Sequence, residues 1–258
     1  MTVPAPLRDA VRAISRGCGY AILDLRKSQA TSLFLPGHLK EAFQNSGINC
    51  VIDVGAHRGA YGSMLRRMGY QGRIIAVEPL QDVYAELCNR VSGDSNWRPL
   101  NIALGQREEI RPLNIYAARD LSSFLASVPH IEDIVPQAQV VSVANVAVHT
   151  IDPMFAEFVE GIADPRVFIK LDTQGYDLEV MRGALASLDR IHGVQSEISV
   201  IPLYREMPTY VQSLAFFYSL GFTPTGFFTV TGHRQTGRTL EFDVVLTREH
   251  NACLRQGS

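Results

Sequence analysis

The 258-residue sequence predicts an α/β fold: a Rossmann-like, mostly parallel sheet with helices on both faces. Three observations predict it. Val51-Ile52-Asp53-Val54-Gly55-Ala56-His57-Arg58-Gly59 reads as a buried strand entering a glycine turn, and Tyr61, Leu65 and Met68 behind it share one helix face. A second apolar run, Ile74-Ile75-Ala76-Val77, ends on the carboxylate of Glu78. Strand and helix alternate cleanly again from Val167-Phe168-Ile169-Lys170-Leu171, which ends on Asp172. Acids at strand ends fall at the carboxyl edge of a parallel sheet, where open α/β sheets bind ligands.

The elements follow in order. Leu7, Val11, Ile14 and Cys18 recur at helical spacing, and a short helix at Leu39 to Phe43 follows the Pro36-Gly37 step, so residues 1–48 read as a helical extension. Residues 49–250 form the main body, in one compact domain. A helix covers Asp82 to Val91 and a strand Pro99 to Leu104. Residues 106–150 interrupt the alternation with β-rich runs at Ile110–Tyr116 and Val140–Val148, a β-containing insertion placed to shape a substrate pocket. Asp152-Pro153 opens a short helix, and Leu178, Met181, Leu185 and Leu188 mark a longer one facing the sheet. The strand Ile191–Ile198 carries Glu197 near its end. Pro208 suits a first helical turn, Val211, Leu214 and Tyr218 supply an apolar face, and Gly221 a stop. Phe222–Val230 and Leu240–Thr247 flank a polar turn, predicting a C-terminal hairpin with one antiparallel strand.

Apolar residues make up 46% of the chain, enough to cover both faces of a central sheet. A net charge of -2 argues against a nucleic-acid partner, since phosphate backbones select basic surfaces. Cys18, Cys50, Cys88 and Cys253 are scattered, with neither a zinc knuckle nor a disulfide framework. Arg8, Asp9, Arg12 and Arg16 interrupt the first segment, and no apolar run approaches the roughly 20 residues of a spanning helix. The expectation is a soluble, cytoplasmic protein with no membrane partner; its oligomeric state is left open.

The glycine turn narrows the ligand. A dinucleotide loop wants G-x-G-x-x-G, whose middle glycine lets a pyrophosphate touch the backbone. His57 holds that middle position, and a side chain there crowds a pyrophosphate. S-adenosylmethionine carries a ribose, an adenine and a sulfonium but no phosphate. Glu78 is placed for its ribose hydroxyls, and Asp53 for its ammonium and sulfonium side. Methyl transfer is therefore expected ahead of hydride transfer. The alternatives are an NAD-dependent epimerase or reductase, for which no Tyr-x-x-x-Lys pair is evident, and a non-catalytic cofactor-binding relative.

The ordered set Val51–Tyr61, Val77-Glu78-Pro79, Asn101-Ile102-Ala103-Leu104-Gly105, Ser122-Ser123, Val148–Asp152, Phe168–Asp177 with Glu179 to Gly183, Glu197 and Glu241–Val245 resembles the FkbM family of S-adenosylmethionine-dependent methyltransferases. The resemblance spans about residues 50 to 247 and implies the class I methyltransferase form of the Rossmann-like fold. It implies O-methylation of a small-molecule hydroxyl, on a sugar, a polyketide or another secondary metabolite. It also implies cofactor contacts at Asp53, Gly55, Ala56, Gly59, Glu78, Asn101 and Ala103, with Pro79 in the same matching step. Tyr61 is expected on the cofactor side as a packing residue. Family members often carry an acidic residue and a small one after the fourth-strand aspartate, where this chain has Thr173-Gln174.

An aliphatic hydroxyl needs a base or a bound metal to give up its proton. Asp172 is the first candidate and also faces the cofactor. Glu197 ends the neighbouring strand, so the two acids could share a substrate hydroxyl or a magnesium or calcium ion. A divalent metal is possible but not favoured, because no dense ligand cluster is visible. His149 is the third candidate, its ordinary pKa lying near working pH. Tyr176 is a further side chain that could reach the substrate, and Asp177 an expected helix cap.

Overall fold

The computed structural model describes residues 34–129, 138–232 and 236–248. In chain order these form α1 (Leu35–Ser46), β1 (Cys50–Val54), α2 (Ala60–Arg67), β2 (Arg73–Val77), α3 (Gln81–Val91), β3 (Trp97–Leu100), β4 (Ala103–Leu104), β5 (Glu109–Tyr116), β6 (Val140–His149), α4 (Ile151–Phe158), β7 (Val167–Leu171), α5 (Asp177–Arg182), β8 (Ile191–Ser199), α6 (Tyr210–Ser219), β9 (Thr223–Gly232) and β10 (Thr239–Thr247). The main sheet runs β3-β2-β1-β7-β8-β10-β9. β10 is antiparallel to both of its neighbours, and the other pairings are parallel. This is the Rossmann-like class I order. The chain runs outward from β1 through β2 and β3, then returns to β7 on the other side of β1, which opens a crevice at the carboxyl ends of both strands.

β1 and β7 are buried along their whole length, because helices cover both faces of the sheet. Leu39, Phe43, Leu65 and Leu87 from α1 to α3 pack one face, with Val51 and Ile74 beneath them. Phe158, Met181 and Phe217 from α4 to α6 pack the other, over Ile52 and Ile169. Each such side chain contributes about 1.5–3 kcal/mol on burial. The helical pattern at Leu7 to Cys18 lies outside the described residues; the extension's described part, α1, belongs to the core.

Three expectations change. The run Pro99 to Leu104 divides into β3 and β4 at Asn101-Ile102. Asn101 Nδ2 donates to the carbonyls of Glu78 (2.9 Å) and Pro79 (3.1 Å), turning the chain into a second sheet of order β4-β6-β5. The helix predicted through Leu188 stops at Arg182 and resumes as a 3-10 turn, Leu185–Arg190, leaving Leu185 exposed. Gly183 sits there against the carbonyl of Gly105, where a Cβ would lie 2.0 Å from that oxygen. α6 starts at a capping box between Thr209 and Gln212, and the residues it buries are Ser213 and Phe217. Val211 and Tyr218 therefore face outward, against expectation.

Candidate active site

The crevice is built first by the loop after β1. Gly55 and Ala56 N–H donate to the carbonyl of Val77 at 3.1 and 2.9 Å, tying the loop to the end of β2. Gly55 has φ +76°, and a Cβ on it would stand 2.0 Å from the Asp172 carbonyl oxygen. The glycine is thus required by the close approach of β1 and β7. His57 follows in the left-handed region (φ +48°), which aims its N–H at Glu78 Oε2, 3.0 Å away. Leu80 N–H donates to Oε1 of the same carboxylate at 2.8 Å. Two backbone donors hold Glu78, yet burial outweighs them and pushes its pKa up to about 7.

Around this acid the crevice is lined by Leu80, Ala103, Leu104, Leu113 and Phe124 on an apolar side and by Gly55, His57, Asp172, Thr173 and Gln174 on a polar one. Burial, then Arg58, lowers the pKa of His57. The segment 119–124 closes the mouth through Arg119, Asp120 and Ser122, so the insertion does border this crevice. Ser122 Oγ is buried with no hydrogen-bond partner among the described residues, whereas Ser123 Oγ is spent on the Gln174 carbonyl at 2.7 Å.

Behind the crevice floor lies a row of ionisable side chains. Asp53 and Lys170 are paired neighbours in β1 and β7, with Nζ 3.6 Å from Asp53 Oδ1. Lys170 Nζ also donates to Asp172 Oδ2 at 2.9 Å, and Gln174 Nε2 donates to Asp172 Oδ1 at 3.0 Å. The same Nε2 stands 3.3 Å from Glu197 Oε1. Burial opposes the Lys170 charge, but Asp172 and Asp53 outweigh it and raise its pKa. Asp53 is pushed up to about 6, chiefly by burial. Glu197 is raised well above the ordinary range by burial, with Asp172, Glu241 and Asp243 adding to it.

Of the predicted residues, Gly55, Glu78, Pro79, Ala103 and Asp172 line the crevice together. Ala56 is buried beside them through its backbone bond to Val77, and Asn101 staples the backbone of Glu78 and Pro79 from behind. The remaining predicted residues lie outside this lining. Asp53 has no accessible surface and faces Lys170 instead of the crevice. Tyr61 donates its hydroxyl to Gln195 Oε1 (2.9 Å) and lies under Lys170 Nζ, 5.6 Å from the ring centroid. Gly59 begins α2 at φ +74°, packed so that a Cβ would come within 2.8 Å of Leu87. His149 ends β6 in the second sheet and pairs with Glu108 at 2.7 Å, outside the crevice lining. Glu197 is joined to the site through Gln174. Tyr176 faces a neighbouring groove, its hydroxyl held by Arg111 at 3.2 Å. Asp177 makes no helix cap; it accepts from Thr173 and Ser196 and fixes the loop after β7.

Lys170 is hidden in the sequence as one more residue of a buried strand. Its signal was present, because a lysine within such a strand is tolerated only when paired, and Asp53 and Asp172 were already in view. Among the described residues no group of three or more His, Cys, Asp or Glu side chains stands where it could hold a metal ion. Nor is any described helix long and apolar enough to cross a membrane.

Residues 53–224 match the model of the methyltransferase FkbM domain. No curated protein matches the chain at a significant level. Among solved structures, an rRNA methylase from Streptococcus thermophilus aligns with 13% identity over 83% of this chain and 96% of its own, at a TM-score of 0.39. The 1,6-didemethyltoxoflavin-N1-methyltransferase of Burkholderia thailandensis, with bound 1,6-didemethyltoxoflavin and S-adenosylhomocysteine, aligns with 12% identity over 96% of this chain and 91% of its own, at a TM-score of 0.41. Aeropyrum pernix fibrillarin with bound S-adenosyl-L-methionine aligns with 11% identity over 81% and 74%, at 0.42. These are distant likenesses, and the fold rests on the strand order itself.

Proposed function

Because this chain belongs to the methyltransferase FkbM domain family, we propose that it moves a methyl group from S-adenosylmethionine to a hydroxyl of a small molecule, such as a sugar, a polyketide or another secondary metabolite. The observation that carries the cofactor reading is Glu78, a carboxylate gripped by the His57 and Leu80 amides at the end of β2. Each of its oxygens keeps a lone pair for a ribose hydroxyl. The apolar wall of Leu80, Ala103, Leu104 and Leu113 suits a flat base, and the His57 side chain narrows the loop where a pyrophosphate would have to approach. The cofactor, when bound, supplies an electrophilic methyl group.

The chain's own residues have to align the acceptor and take its proton. Asp172 is the proposed base. It lies in the crevice lining with a third of its side chain exposed, and Lys170 and Gln174 fix its direction while leaving one lone pair on each oxygen. Ser122, whose hydroxyl has no hydrogen-bond partner among the described residues, is a polar group of the lining that could orient an acceptor. Thermal shift with S-adenosylhomocysteine against NAD tests the reading: the former should raise Tm and the latter should not. A rise with NAD alone would return the hydride-transfer alternative.

A further inference from the structure

Gln174 lies in the loop after β7, and its surroundings give the amide a specific task. Its backbone is in the left-handed region (φ +53°), held there by Ser123 Oγ on its carbonyl at 2.7 Å. Its side chain projects between Asp172 and Glu197, with Nε2 at 3.0 and 3.3 Å from their oxygens. Two carboxyl acceptors fix which end of the amide faces them, since only the nitrogen can donate. Oε1 is then directed to the Tyr204 hydroxyl at 3.1 Å. The point between two strand-end carboxyls is the one a divalent cation would occupy in an all-oxygen site.

We propose that Gln174 is the positioning residue of this site, its amide joining Asp172 to Glu197 in the bridging place that a divalent cation would otherwise need. The proposal rests on Asp172 being the carboxylate of the methyl-transfer edge. Glu197 faces Asp172 and Lys170 from β7 and Glu241 and Asp243 from β10, so Lys170 is its single cationic neighbour among those groups. That setting favours a proton on Glu197 beside the ion-paired Asp172. A glutamate at 174 would replace the donor with a third acceptor, and the set would then have to bind another proton or a cation.

The test follows the Glu197 carboxyl carbon by NMR titration in the full-length protein, with and without magnesium, in the wild type, Gln174→Glu and Gln174→Met. In the wild type the Glu197 midpoint should lie above the ordinary glutamate range and ignore magnesium. In Gln174→Glu it should rise further, by at least about tenfold in proton affinity, one pKa unit, and magnesium should draw it back. Gln174→Met, close in shape but without a donor, should raise it less and show no magnesium response. A wild-type midpoint that moves with magnesium overturns the proposal, as does an unchanged midpoint in both variants. If Gln174→Glu does not fold, the methionine variant and the wild-type magnesium response still decide. S-adenosylhomocysteine affinity of the wild type, measured alongside, separates a failure here from a failure of the methyltransferase reading.

Discussion

The two sides of the crevice hold their acids in different ways. At the end of β2, Glu78 is fixed by backbone amides, from His57 in the turn after β1 and from Leu80 at the start of α3. At the end of β7, Asp172 is fixed by side chains, Lys170 and Gln174, which are themselves engaged with Asp53, Glu197 and Tyr204. A backbone seat is set by the fold and changes little with distant substitutions. A side-chain seat is a coupled network in which removing one member leaves the others buried and unpaired. In the proposed function, binding belongs to the first kind and proton handling to the second.

The largest effect should come from Asp172→Asn, which keeps the shape and removes the charge. Turnover should fall by about 10²–10⁴ while S-adenosylhomocysteine affinity stays close to wild type; Tm should fall less than in Lys170→Ala, because Asp53 and the new amide oxygen still face Lys170. Near-normal turnover would make Asp172 a structural residue and end the contrast. Next comes Lys170→Ala. Lys170 is almost fully buried between two carboxylates, so its loss should cost about 3–5 kcal/mol in chemical denaturation. Lys170→Met combined with Asp53→Leu should recover much of this, because the uncompensated buried charge has been removed as well. A cost below about 1 kcal/mol for the single change, the size of a surface pair, would show that the network is not coupled.

The Glu78 side makes a pH prediction of definite sign. Its folded pKa of about 7 lies above the ordinary carboxylate value. Below that pH a proton has to leave before the ribose hydroxyls can be accepted, so S-adenosylhomocysteine should bind more weakly as pH falls from 8 to 6, approaching about tenfold per unit. By the same linkage, this group's contribution to apo stability is fully present below its unfolded pKa and is lost as pH rises through about 7. Calorimetry across that range checks the binding slope, and Glu78→Gln should flatten it. The smallest effect belongs to His149→Ala. Its pair with Glu108 is partly exposed, which limits the loss to about 1 kcal/mol or less, and turnover should be nearly unchanged. A rate loss comparable to that of Asp172→Asn would restore His149 as a base.

The same contrast separates what the sequence discloses from what it hides. Val51–Val54 and Val167–Leu171 were legible because central parallel strands are buried on both faces and read as apolar runs. Glu78 was legible because its seat is made by local chain order: strand, turn, helix, strand, acid. Asp53 was misplaced because strand alternation says which face a side chain takes only once the covering helices are known. Asp53 is fully buried opposite Lys170, outside the crevice lining. His149 ends β6 of the second sheet, which pairs with β4 and β5, so the strand-end position that makes it a candidate lies outside the crevice lining. The bridging by Gln174 joins residues 23 positions apart through a left-handed loop, and no spacing rule encodes that. Leu185 is exposed because the helix stops at Arg182, whereas at Val211 and Tyr218 the period is right and the buried face is the one through Ser213 and Phe217.

The central claim is that Glu78 seats the ribose of a phosphate-free nucleoside cofactor. Titration calorimetry of S-adenosylhomocysteine into the wild type and Glu78→Ala at pH 8 tests it directly. The wild type should bind, and the variant should lose two charge-assisted hydrogen bonds of about 1.5–3 kcal/mol each, at least about a hundredfold in affinity. NAD should give no binding heat with either protein. Equal affinity of the two proteins for S-adenosylhomocysteine, or tighter binding of NAD, would contradict the account.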